Sequence, residues 1–114
     1  MTDTILRDAF LAAVKYNDAG LVPVIAQRVS DGEVLMLAWM NRDTLEETLQ
    51  SGQVVYWSRS RMSRWRKGET SGHVQHLKEA YIDCDGDTVL LKIEQTGSAC
   101  HTGAPTCFFR KLEQ

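Results

Sequence analysis

Apolar positions along the chain fall into short blocks with two different periods. Leu6, Phe10, Ala13 and Val14 recur at i, i+4, i+7 and i+8, one stripe of an amphipathic helix. Asp3 or Thr4 can cap that helix, and Gly20 is its stop signal. Residues 22–29 are mostly apolar and β-branched, with Pro23 near the entry, where a strand tolerates it. Ser30-Asp31-Gly32-Glu33 is a hairpin signal, and residues 34–39 form the returning arm. Asn41 caps a short helix carrying Leu45 and Leu49, Gly52 closes it, and residues 54–57 make a third strand. Residues 58–72 are polar and predict a loop. Residues 73–83 read as a strand with weak alternation. Val89, Leu91 and Ile93 alternate with Leu90, Lys92 and Glu94, a clearer strand signal. A loop follows over 96–106, and Phe108 and Phe109 open a last short strand. This order predicts an α+β fold: a largely antiparallel sheet, an N-terminal helix and one short helix.

Composition narrows the function. A length of 114 residues fits one domain, 1–114. Hydrophobic residues at 43% and charged residues at 25% exclude a disordered chain. The net charge of −2 argues against a protein that holds nucleic acid by phosphate neutralisation. No apolar stretch approaches the ~20 residues of a membrane span. The N-terminus lacks the basic and apolar regions of a signal peptide, so the expected location is cytoplasmic. Three cysteines, an odd number without an export signal, do not make a disulfide framework.

Three segments can carry chemistry. In Asp83-Cys84-Asp85-Gly86-Asp87, an extended backbone puts the three aspartates on one face and Cys84 on the other. Crowded carboxylates call for a hard cation such as Mg²⁺. The alternative is a plain Asp-Gly hairpin turn with solvated acids. Cys100 and Cys107 lie in a Gly/Ser/Thr/Pro-rich stretch, with six residues between them and no paired CxxC spacing. Three thiolates and a water make an open, catalytic zinc site, and a fourth ligand from His101 would make a closed, structural one. Adjacent residues seldom both reach one metal, which leaves His101 free to carry a proton. The third segment runs from Tyr56-Trp57-Ser58-Arg59-Ser60-Arg61 to Trp65-Arg66-Lys67-Gly68-Glu69 and carries five bases against one acid over 58–72. Arg and Ser suit phosphate oxygens, and Trp57 and Trp65 can stack on a base. A solvated charged loop is the plainer account of the same run. His73 and His76, just beyond, are candidate ligands or simply packed side chains.

Together these strings resemble the phosphoribosyl-AMP cyclohydrolase family, from about residue 22 to residue 109. Leu37-Ala38-Trp39-Met40-Asn41, Ser71-Gly72-His73 and Ala99-Cys100-His101-Thr102-Gly103 complete the set, in the family's order. Arg64, where an apolar residue is more usual, and Thr106, where Ser is more usual, are the departures. The resemblance implies hydrolytic opening of the adenine ring of 1-(5-phosphoribosyl)-AMP at N1–C6, in histidine biosynthesis. It implies one Zn²⁺ per chain on Cys84, Cys100 and Cys107, and Mg²⁺ on Asp83, Asp85 and Asp87. It implies a homodimer with metal-binding loops at its interface and zinc ligands shared between chains, and it makes His101 the proton carrier. Expected substrate contacts are Trp57, Ser58, Arg59, Ser60, Arg61, Lys67, Ser71 and His73. The partner is a small nucleotide, with neither nucleic acid nor membrane involved. A pyrophosphohydrolase domain, fused to this one in some organisms, is not expected in 114 residues. Two rival readings are a structural zinc module with a basic loop for nucleic acid, and a nucleotide deaminase, which would release ammonia.

Overall fold

A computed structural model describes residues 4–114. The elements are α1 (Arg7–Ala13), β1 (Val22–Arg28), β2 (Val34–Met40), α2 (Arg42–Ser51), β3 (Val55–Ser58), β4 (Ser63–Arg66), β5 (Gln75–Ile82) and β6 (Val89–Gln95). Four strands form one sheet in the order β2-β1-β6-β5, and β3 and β4 form a separate hairpin. The β1–β2 and β5–β6 pairs are antiparallel, whereas β1 and β6 join them in parallel at the centre. The α+β architecture with a mostly antiparallel sheet is the predicted one.

Strand alternation builds the core. Val22, Val24 and Ala26 of β1 and Val89, Leu91 and Ile93 of β6 are fully buried. Val24 lies opposite Val89 and Ala26 opposite Leu91, so the two apolar sets share one face. Phe10 and Leu11 of α1, Leu45 of α2, and Val54 and Tyr56 at β3 belong to the same cluster. Each fully buried aliphatic side chain contributes about 1.5–3 kcal/mol.

Helix α2 is set by its ends. The Asn41 carboxamide accepts from the Thr44 N–H at 2.8 Å, and the Thr44 hydroxyl accepts from the Asn41 N–H at 3.0 Å. Gly52 closes the helix with a left-handed φ of 78°. The buried Thr48 hydroxyl accepts from the Val55 N–H at 2.9 Å and fastens the helix to β3.

Four expectations need correction. Helix α1 stops at Ala13 because Val14 is extended, and Gly20 instead closes a turn organised by the Asn17 carboxamide. Its buried face is Phe10, Leu11 and Val14, with Leu6 exposed at the N-cap position and no side-chain cap bond; Asp3 lies outside the described residues. The predicted polar loop contains β4, paired in register with β3 through Tyr56 and Trp65. The segment 83–87 takes the hairpin-turn form, one of the two readings open to it. Phe108 and Phe109 are exposed and form no strand.

Candidate active site

The loop after β6 brings two cysteines together. The Cys100 N–H donates to the Ala104 carbonyl at 3.2 Å, and the Gly103 N–H returns to the Cys100 carbonyl at 3.0 Å. The loop then docks on β2. The Cys107 N–H donates to the Leu35 carbonyl at 2.7 Å, and the Thr106 hydroxyl to the Val34 carbonyl at 2.8 Å. A hydroxyl is what that anchor needs, so Thr106 serves where Ser is more usual. The Thr102 hydroxyl donates to Cys100 Sγ at 3.1 Å, the main reason the Cys100 thiol is held below its ordinary range. Cys107 goes the other way. Its residue is exposed, but its thiol turns inward toward Tyr56 and Cys100, and desolvation with the neighbouring thiol raises it.

A pocket of about 310 Å³ opens beside this pair and is lined by Trp65, Lys67, Ser71, His73, Cys100 and His101 among others. Its floor is tightly built. The Lys67 ammonium, nearly buried, donates to the Ala99 carbonyl at 2.6 Å and lies 5.2 Å from the Trp65 ring centre. Burial pulls the Lys67 amine down, and the Cys107 and Cys100 thiols oppose that pull. The His73 ring rests on Gly97, where a Cβ would come within 2.6 Å of it, and Ser98 Oγ is 3.2 Å from its Nδ1. Behind His73 runs a buried amide network. Tyr56 OH donates to Gln75, Gln75 to Gln95 at 2.8 Å, and Gln95 to the His73 carbonyl at 3.3 Å. His101 is exposed at the pocket rim.

The basic segment divides in two. Arg64 and Arg66 turn to Glu47 on α2: Arg64 Nε donates to Oε1 at 2.8 Å, and its second nitrogen donates to Oε2. That bond holds the Glu47 carboxyl below its usual range and explains why a charged residue is tolerated at position 64. Arg59 stacks over Trp39 at 4.5 Å, and Arg61 reaches Ser58 Oγ and the Trp65 ring. Trp57, Ser58, Arg59, Ser60 and Arg61 therefore sit on the β3–β4 hairpin, outside the pocket wall, with Arg59, Ser60 and Arg61 exposed. Of the two stacking candidates, Trp65 is the one that lines the pocket. Ser98 and Thr102 also belong to this neighbourhood. Thr102 stood inside a recognisable string, whereas nothing in the sequence marked Ser98.

The aspartates form a second cluster, with ligand oxygens of Asp83, Asp85 and Asp87 within 4.8 Å of one another. The Asp83 carboxylate accepts from the Asp87 N–H at 3.1 Å across the turn. Limited desolvation raises Asp83, but hydrogen bonds from its neighbours bring it below its ordinary value, while the same neighbours raise Asp87. Gly86 makes the turn possible: φ is +80°, and a Cβ there would lie 2.5 Å from the Ala13 carbonyl oxygen. Among the described residues this is the one group of three such side chains gathered so closely; Cys84, exposed on the same turn, does not join Cys100 and Cys107 within a chain. Oxygen-only donors fit a hard cation, and the thiol pair fits zinc as part of a ligand set.

The architecture is a small α+β domain with a pocket beside its paired cysteines. A model of the phosphoribosyl-AMP cyclohydrolase family matches residues 36–109. Similar curated proteins carry the name phosphoribosyl-AMP cyclohydrolase. That of Alkalilimnicola ehrlichii is 61% identical over 105 residues, 92% of this chain and 74% of the relative. Those of Acidiphilium cryptum (61% over 102 residues, 90% and 88% of the two chains) and Rhodospirillum centenum (58% over 112 residues, 98% and 84%) agree. The chain belongs to the phosphoribosyl-AMP cyclohydrolase family. Among the described residues no helix is long and apolar enough to cross a membrane.

Proposed function

We propose that this chain hydrolyses the N1–C6 bond of the adenine ring of 1-(5-phosphoribosyl)-AMP, a step of histidine biosynthesis in the cytoplasm. The observation that carries this reading is the juxtaposition, in one pocket, of Trp65, His73, Cys100 and His101 in a chain of this family. An adenine alkylated on N1 has weakened aromaticity and an electrophilic C6. Water adds to C6, the N1–C6 bond breaks, and both halves stay joined through the rest of the molecule. Trp65 offers a flat face for the base. His101, exposed at the rim and outside the ligand set, carries the proton from the attacking water to the departing ring nitrogen. Cys84, Cys100 and Cys107 would hold a zinc ion, which would lower the pKa of water toward neutrality. Asp83, Asp85 and Asp87 would hold Mg²⁺, which with Arg59, Ser60 and Arg61 would serve the phosphate groups. Trp57, Ser58, Ser71 and His73 complete the proposed surroundings of the substrate.

The separation of Cys84 from the cysteine pair supports a homodimer in which Cys84 of the partner subunit completes each zinc site. Exposed Leu37, Phe108 and Phe109 near the cysteine loop and its β2 anchor offer apolar surface for such contact. The deciding experiment adds phosphoribosyl-AMP to the purified protein and follows the ultraviolet change of ring opening. Ammonia release would instead identify a deaminase, and no reaction with metal-loaded protein would sink the proposal. Refolding Cys84→Ser together with Cys107→Ala tests the shared site. Random pairing makes about half the dimers mixed, each with one intact site, so about a quarter of native activity returns. No recovery in verified mixed dimers rules sharing out.

A further inference from the structure

Among the described residues, Lys67 is the one buried charged side chain, with only 9% of its surface exposed. A lysine is rarely buried without a partner, and an uncompensated buried charge costs several kcal/mol. Among the described residues no carboxylate lies within 4.0 Å of Lys67. Its hydrogen bond goes to the carbonyl of Ala99, the residue before Cys100. The backbone holds it there from below. The Lys67 N–H donates to the Val54 carbonyl at 3.0 Å, and Gly68 lies so close beneath His73 that a Cβ would sit 2.4 Å from its carbonyl carbon. An ammonium so placed is poorly exposed to a phosphate in solution. It stands against the Cys100 loop, within electrostatic reach of the Cys100 and Cys107 thiols.

We propose that Lys67 is a positioning residue of the thiolate metal site: it fixes the Cys100 loop through Ala99 and supplies the countercharge of the ligand set. The inference rests on the zinc reading above. Three thiolates around a dication leave one net negative charge, and one buried ammonium balances it. Lys67 thereby acts on the metal through Cys100, in place of the phosphate-binding role that its basic neighbours suggest.

The test uses the intact zinc-loaded protein and two variants. Lys67→Met removes donor and charge at similar length, and Lys67→Gln keeps a neutral donor. Zinc transfer to a chromophoric chelator, the unfolding midpoint, and kcat and KM are measured for each. Cobalt replaces zinc for a spectroscopic readout of the thiolate ligands. The expected result is zinc transfer about tenfold or more faster in Lys67→Met, with Lys67→Gln intermediate. The cobalt–thiolate bands shift in both, and KM changes little. Unchanged zinc transfer and cobalt bands, with a raised KM, overturn the inference and make Lys67 a substrate contact. If Lys67→Met fails to fold, Lys67→Gln decides by the same two criteria. Wild-type protein that takes up no zinc overturns the metal-site reading itself, a result distinct from a lysine variant that behaves like wild type.

Discussion

The two donor clusters sit on the loops at the two ends of β6, and they are held in different ways. The aspartate turn between β5 and β6 is largely self-contained. Its shape comes chiefly from bonds within the turn; outside it, the Gly86 carbonyl accepts from the Lys15 N–H at 2.8 Å, and Gly86 packs against Ala13 at the end of α1. The cysteine loop after β6 is held by distant parts of the chain: Lys67 at Ala99, and β2 at Thr106 and Cys107. Soft thiolate donors thus lie on an externally clamped loop, and hard oxygen donors on a locally formed turn. A tight, directional metal site profits from ligands fixed by their surroundings. A carboxylate cluster for a loosely held cation can rely on its own turn.

Experiments that break this contrast fall in order of expected size. Cys107→Ala should abolish activity and reduce bound zinc from about one per chain to near zero by elemental analysis, since it removes a ligand from the clamped loop. Dialysis of the wild-type protein should remove Mg²⁺ and leave zinc. His101→Ala, on the same loop, should lower kcat by about 10²–10⁴-fold with zinc retained; loss of zinc there would make His101 a ligand. Among glycines, Gly86→Ala should destabilise by about 2–4 kcal/mol in denaturant unfolding, combining a left-handed backbone with a clash against Ala13. Gly103→Ala has φ of +92° but open space around it, so about 1–2 kcal/mol is expected. Equal costs at the two positions would dissolve the distinction between a docked turn and an open loop.

The smallest effect lies outside both loops, at Glu47. Arg64 holds its folded-state pKa below the unfolded value. Its stabilisation is therefore present above the unfolded pKa and is lost as pH falls through the depressed folded value. Glu47→Gln should be less stable than wild type near pH 7 by under about 1 kcal/mol, because the pair is partly exposed. The gap should close as acid protonates Glu47, as read from unfolding midpoints across that range.

Local signals made parts of this molecule readable. Asn41, Thr44 and Gly52 announce α2 at both ends, and the alternation of residues 89–94 announces β6. The failures are equally physical. β4 is Ser-Arg-Trp-Arg, and its single large apolar residue gives no period to detect; its pairing is fixed by Tyr56 across the hairpin. Asn17, through its side-chain turn, overrides the apolar stripe that pointed to a longer first helix. At the site, residue types identified both donor clusters. The distribution of Arg64 and Arg66 to Glu47, and of Lys67 to Ala99, depends on partners 17 to 32 residues away that no local pattern encodes.

The parallel pairing of β1 with β6 has a consequence for the growing chain. During synthesis the β1–β2 hairpin can close early, because its strands are adjacent. The other edge of β1, carrying Val24 and Ala26, waits for Val89 and Leu91. Closing so long a loop is entropically slow relative to a local hairpin. Throughout that wait the nascent chain displays a β-branched, apolar strand with one open edge, the form of surface that recruits other chains. Conditions that slow translation through residues 40–90 should therefore lower the soluble yield more than the stability of the finished protein would suggest.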